Sequence, residues 1–169
     1  MSVNFSSLIE LVREMGLLRE AGGAEEVGGN PRITDVVSDS RSVRPGTLFC
    51  CIRGERSDGH DYIPMARELG AAALLCERPV DAGLPSVVVP SVREVMGEVS
   101  AAVYGNPSEK LLMVGVTGTN GKSTTTYVLR SILGAAGIRS GLLGTIVESD
   151  GVRERDADRT TPESCVVQR

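Results

Sequence analysis

Residues 115–126 read Gly-Val-Thr-Gly-Thr-Asn-Gly-Lys-Ser-Thr-Thr-Thr (GVTGTNGKSTTT). An apolar run, Leu111–Val116, precedes the glycines, and a segment of helical pattern, about Lys122 to Ala136, follows them. Strand, glycine loop and helix in that order form the context a phosphate cradle requires. Glycines let backbone N–H groups turn inward without a side-chain clash, and the helix N-terminus adds partial positive charge. Counting back from Gly121-Lys122-Ser123, the common G-x-x-x-x-G-K-[ST] spacing wants its first glycine where this chain has Val116; Gly115 lies one residue earlier. The departure is therefore a one-residue lengthening with no part missing. Lys122 has the reach to meet the β- and γ-phosphates of a nucleotide, and the Ser123 hydroxyl is the candidate Mg2+ ligand.

Upstream, Phe5, Leu8, Ile9, Val12 and Met15 recur at helical spacing. After glycine-rich breaks, Arg32–Val37 reads as a short extended segment, and Leu48–Ile52 as a continuous apolar run of strand length. A run without alternation is what a strand buried on both faces looks like, so the sheet is expected to carry helices on each side. Tyr62–Leu69 is helical in pattern and stops at Gly70, Ala71–Cys76 and Ser86–Val89 are further strands, and Val92–Tyr104 is a helix. Gly105-Asn106-Pro107-Ser108 punctuates the chain strongly enough to place a domain boundary, giving units 1–106 and 107–169. Past the loop helix, a strand near Ser140–Leu143 and an Asp150-Gly151 hairpin turn after Ile146–Glu148 complete the reading. The second unit has too few residues for a parallel sheet covered on both faces, which needs about 100. It is expected to be incomplete, and to be mobile or self-associated after Lys110.

Composition narrows the function classes. With 41% hydrophobic and 24% charged residues the chain is an ordinary globular one, and a formal charge of −4 with 3% aromatics excludes broad electrostatic binding to nucleic acid or anionic membrane. Glu10, Arg13 and Glu14 interrupt any run long enough for a signal peptide or a membrane span, so a cytoplasmic location is expected. Cys50, Cys51, Cys76 and Cys165 contain no C-x-x-C pair, and His60 is the single histidine. That is not metal-ligand spacing, and the cysteines read as small buried hydrophobes in a reducing compartment.

The loop GVTGTNGKSTT resembles the ATP-binding loop of the Mur ligases, the amide ligases of peptidoglycan-precursor synthesis, whose loop reads T-G-[TS]-N-G-K-[ST]-T; Val116 is normal for it. Ser38-Asp39-Ser40-Arg41, Pro45–Phe49 and Gly54–Ile63 resemble the N-terminal domain of the family's later members, which holds the uridine diphosphate end of the substrate. Leu143–Ile146 followed by Arg159-Thr160-Thr161-Pro162-Glu163-Ser164 resembles the type that adds the third residue of the stem peptide, the MurE type. The resemblance implies an α/β substrate-binding domain followed by the first strand–loop–helix part of a nucleotide-binding domain, the front of a longer ligase that would be inactive alone. It implies ATP bound by Gly118, Thr119, Asn120, Gly121, Lys122, Ser123 and Thr124, with Mg2+ on Ser123 and Lys122 catalytic. It further implies the uridine end bound by Ser38, Ser40, Glu55, Arg56 and Ser57, and the muramoyl-dipeptide by Thr160 and Thr161. The reaction implied is ATP-driven formation of an acyl phosphate on UDP-MurNAc-L-Ala-D-Glu, then attack by the amine of a diamino acid, meso-diaminopimelate or lysine.

Three alternatives stand beside it. The type that adds the terminal dipeptide shares the N-terminal loops, and a UDP-sugar binding module without turnover would share the same binding loops. A generic P-loop kinase or GTPase would need a Walker-B strand and a base-recognition motif, neither of which is visible after Ser140. His60, in Asp-Gly-His-Asp, reads as a structural or solvated histidine in preference to a general base.

Overall fold

A computed structural model describes residues 2–22, 29–54, 57–157 and 160–169. The chain divides into two compact units, Met1–Leu111 with Ser164–Arg169, and Leu112–Glu163. In the first, β1 (Val3–Asn4) leads into α1 (Phe5–Glu14), followed by β2 (Glu20–Gly22), β3 (Arg32–Ile33), β4 (Asp35–Val37), β5 (Thr47–Cys50), α2 (Ile63–Glu68), β6 (Ala71–Cys76), β7 (Ser86–Val88) and α3 (Val92–Tyr104). Five strands form one sheet in the order β2-β7-β6-β5-β4, in which β4 through β7 are parallel and β2 closes the β7 edge antiparallel. β1 and β3 form a separate antiparallel pair.

Alternate residues of the apolar strands feed two cores, as expected of strands buried on both faces. Leu48, Cys50, Ala73, Leu75 and Val87 pack under α1 and α3, through Phe5, Leu8, Val12, Val92, Val95, Met96 and Val99. Phe49, Cys51, Leu74 and Cys76 pack on the opposite side with Ile63 and Ala66 of α2. The sheet is thus the parallel-rich α/β core that the sequence reading required.

In the second unit, α4 (Lys122–Ala135) follows the glycine loop, and β8 (Leu142–Leu143), β9 (Val147–Ser149) and β10 (Glu154–Asp156) form an antiparallel sheet in the order β10-β9-β8. The expected hairpin is present, with Glu154 opposite Ser149 across the 150–153 turn. Arg130 of α4 donates to Glu154 Oε2 at 2.7 Å and to Ser149 Oγ at 3.2 Å, which fixes the helix to the hairpin.

Two expectations need correction. Leu111–Val116 is not a strand: Leu111 is extended, but the segment joins no ladder among the described residues, and Leu112 is 94% exposed. Its apolar pattern signals burial, but a parallel strand exists only where neighbours supply its hydrogen bonds. A single cut near 105–108 also misses a return of the chain. Helix α5 (Ser164–Gln168) belongs to the first unit, where Cys165 is in the core and the Arg169 guanidinium donates to Asp35 Oδ1 at 2.8 Å.

Candidate functional site

The glycine loop is shaped by two residues whose backbone an L side chain would strain. Gly118 has φ 144° and Gly121, the residue just before α4, has φ 79°. No side chain caps α4, and its first turn has no acidic residue. A 14-residue helix therefore presents an uncapped N-terminus, an electropositive end with N–H groups directed outward. Thr119, Asn120 and Thr124 are exposed, and Lys122 and Ser123 half-buried. The Lys122 ammonium donates back across the loop to Gly118 O at 2.5 Å, so the one cation of the loop sits over the backbone that would surround an anion. Thr126 Oγ1 donates to Ser123 O at 2.9 Å, steadying the first turn. The loop fits a phosphate group: open backbone at both glycines, an uncapped helix end and a lysine within reach.

In the first unit, Ser38 lines a small cleft of about 70 Å3 with Asp39, Ser42 and Arg169. Asp39 accepts from the Arg41 backbone N–H at 3.0 Å and from its guanidinium at 2.7 Å, organising the single 3-10 turn Ser40–Ser42. Ser40 is buried, its hydroxyl 3.6 Å from Met65 Sδ, so of the two candidate serines Ser38 is the accessible one. Ser57 is exposed, and its carbonyl accepts from Gly54 N–H at 2.9 Å, closing the loop at its base; Glu55 and Arg56 lie outside the described residues.

His60 is buried and satisfied on both ring nitrogens. Nδ1 donates to Asp58 Oδ1 at 2.6 Å, and Nε2 accepts from the Glu77 N–H at 3.2 Å. It therefore ties the 54–62 loop to the end of β6 as a structural residue. Asp58 also accepts from His60 N–H at 3.0 Å and from Arg78 at 2.7 Å. The Arg78 bond, then the backbone donor, hold the Asp58 carboxyl well below the usual carboxylate range. Glu77 Oε1 accepts from Val92 N–H at 3.0 Å and so caps α3. Sequence reasoning missed Asp58, Glu77 and Arg78. Only the Asp-x-His spacing, an Asx-turn pattern, offered a signal, and Arg78 is brought in by the strand that precedes it.

Thr160 and Thr161 are exposed, just ahead of α5. They and the glycine loop belong to the second unit, and Ser38, Ser40 and Ser57 to the first. All four cysteines are buried. The Cys51 thiol is pushed up from its ordinary value, first by its contact with Cys76 and then by burial.

The chain thus combines a doubly covered, parallel-rich α/β sheet in one unit with a lengthened Gly-Lys-Ser loop at the head of a helix in the other. Residues 32–105 match the Mur ligase family, catalytic domain, and residues 116–169 match the Mur ligase middle domain. The chain belongs to the Mur ligase family. It is 47% identical over 142 residues to the UDP-N-acetylmuramoyl-L-alanyl-D-glutamate--2,6-diaminopimelate ligase of Geobacillus thermodenitrificans, an alignment covering 84% of this chain and 29% of that protein. A solved structure of a ligase of the same name shares its fold, with TM-score 0.64 and 20% identity over 99% of this chain and 32% of the other. The MurF ligase of Thermotoga maritima in complex with ADP aligns with TM-score 0.50 and 30% identity over 66% of this chain and 25% of that one. The chain thus spans about a third or less of the proteins it is similar to.

Proposed function

We propose that this chain carries the uridine-diphosphate-binding and ATP-phosphate-binding parts of an ATP-dependent amide ligase of peptidoglycan-precursor synthesis, one that joins 2,6-diaminopimelate to UDP-MurNAc-L-Ala-D-Glu. The observation that carries this reading is the Thr117–Ser123 loop at the uncapped head of α4, in a chain 47% identical to a ligase named for that reaction.

In the reaction, a D-glutamyl carboxylate oxygen attacks the γ-phosphorus of ATP and ADP departs. The amine of the diamino acid then attacks the acyl carbon, phosphate leaves and the ammonium proton is lost. The part of these residues is electrostatic. Lys122 leaves the Gly118 carbonyl for the transferring phosphoryl oxygens, and the α4 N-terminal amides hold the phosphates in line. Ser123 is the residue that would hold Mg2+, which when bound supplies further neutralisation of the phosphate charge. Ser38, with the 55–57 segment, meets the uridine diphosphate end, and Thr160 and Thr161 meet the muramoyl-dipeptide. His60 does no proton transfer, since its Nδ1–H and Nε2 lone pair are both engaged.

No helix among the described residues is long and apolar enough to cross a membrane. The likeness to a MurF ligase favours a second reading, addition of D-Ala-D-Ala to the UDP-MurNAc-tripeptide. The test is phosphate release by the complete enzyme. Release that requires UDP-MurNAc-L-Ala-D-Glu and diaminopimelate together, with an amide product of matching mass, supports the first reading. Release only with tripeptide and D-Ala-D-Ala replaces it by the second.

A further inference from the structure

Cys51, the residue after β5, and Cys76, the last residue of the neighbouring parallel strand β6, lie side by side with their sulfurs 3.7 Å apart. His60 stands against them, so that its ring nitrogen and the two sulfurs all lie within 4.8 Å of one another. The three come from separate stretches of chain. We propose that Cys51, Cys76 and His60 bind a zinc ion that fastens the 54–62 loop to the sheet.

Four features of the site support the assignment. First, two thiolates at about 2.3 Å from a tetrahedral zinc stand about 3.8 Å apart. The observed sulfur separation of 3.7 Å already matches that edge. Second, the histidine is in the tautomer a metal needs. Its Nδ1–H is held by the Asp58 carboxylate at 2.6 Å, leaving the proton-free Nε2 as donor atom. A carboxylate behind a ligating histidine is the usual outer partner of zinc, and the only bond Nε2 must give up is a 3.2 Å contact from the Glu77 N–H.

Third, the charge balances. Two thiolates, one neutral imidazole and Zn2+ sum to zero, which suits a site where both cysteines have no exposed surface. A monovalent ion would leave a buried negative charge, and a hard cation such as Mg2+ would meet the wrong donors. Fourth, His60 also lines an open cleft of about 380 Å3 with Ile63 and Asp81, so one of the three ligand residues borders a cleft open to solvent. Zinc would replace the two thiol protons and cross-link the ends of β5 and β6 to the Gly59–Tyr62 turn that carries His60.

The experiment is a titration of the reduced, metal-stripped 169-residue chain with Cd2+, followed by thiolate-to-metal charge-transfer absorption and then by displacement with Zn2+. The expected result is a band that saturates at one Cd2+ per chain and is quenched by Zn2+. Cys51→Ala and Cys76→Ala lose the band, whereas Cys50→Ala and Cys165→Ala keep it. Asp58→Asn weakens Zn2+ binding by about tenfold. Should the Cys51 or Cys76 variants fail to fold, X-ray absorption of the zinc-loaded wild-type chain decides, with two sulfurs and at least one imidazole nitrogen expected. No saturable band, a band that survives in folded Cys51→Ala or Cys76→Ala, or a zinc shell without two sulfurs would each overturn the proposal.

Discussion

Asp58 is the hub of the 54–62 loop, and its removal should destabilise the first unit by a calculable amount. The carboxylate accepts three bonds: from His60 N–H at 3.0 Å, His60 Nδ1–H at 2.6 Å and Arg78 at 2.7 Å. The Arg78 side chain is 52% exposed, so that ion pair is screened by solvent and contributes little. The His60 ring is 3% exposed, and leaving its Nδ1–H without an acceptor costs about 1–3 kcal/mol. Asp58→Ala should therefore lose about 2–3 kcal/mol. Asp58→Asn, whose amide oxygen still accepts from His60, should lose about 1 kcal/mol.

The pH dependence has a definite sign. Because the folded-state pKa of Asp58 is depressed, its contribution is complete above about pH 4, the unfolded carboxylate value, and drains away as pH falls toward the lower folded value. Urea unfolding of wild type and both variants at neutral pH, and of wild type and Asp58→Asn down the acid limb, measures both effects. An alanine variant within about 0.5 kcal/mol of wild type, or an asparagine variant as unstable as the alanine one, would refute the reasoning. So would equal acid sensitivity of wild type and Asp58→Asn.

Further expectations concern the loop and the exposed segment. In the complete enzyme, Lys122→Ala should lower turnover by about two or more orders of magnitude with binding of the UDP substrate nearly unchanged, and an active variant would remove the basis for an ATP phosphate site. The 169-residue chain alone should form no amide with ATP, Mg2+, UDP-MurNAc-L-Ala-D-Glu and diaminopimelate present together; product above background by mass spectrometry would show that these two units suffice. Leu111, Leu112, Met113 and Val114 are 64%, 94%, 54% and 61% exposed, so the isolated chain should associate as its concentration rises and Leu112→Glu should reduce this. A sedimentation coefficient independent of concentration in wild type would count against that role.

What the sequence made legible follows the range of the physics behind each signal. Val92–Tyr104 and Ala71–Cys76 have the bounds their patterns gave, because helix periodicity and the doubly buried apolar run are properties of a single segment. The loop helix begins at Lys122 because Gly121, with positive φ, ends the irregular backbone. Leu111–Val116 was misread for the complementary reason, since its hydrogen bonds would come from other strands and no local pattern reports whether those strands are beside it. The same limit hid the chemistry around His60. Its acceptor Asp58 is two residues away and forms an Asx turn, yet its donor Glu77 is 17 residues on and Cys51 faces Cys76 across 25 residues. Only the parallel pairing of β5 with β6, register Cys50 to Leu75, sets those two sulfurs side by side, so cysteine spacing along the chain excluded a ligand motif without excluding a ligand cluster.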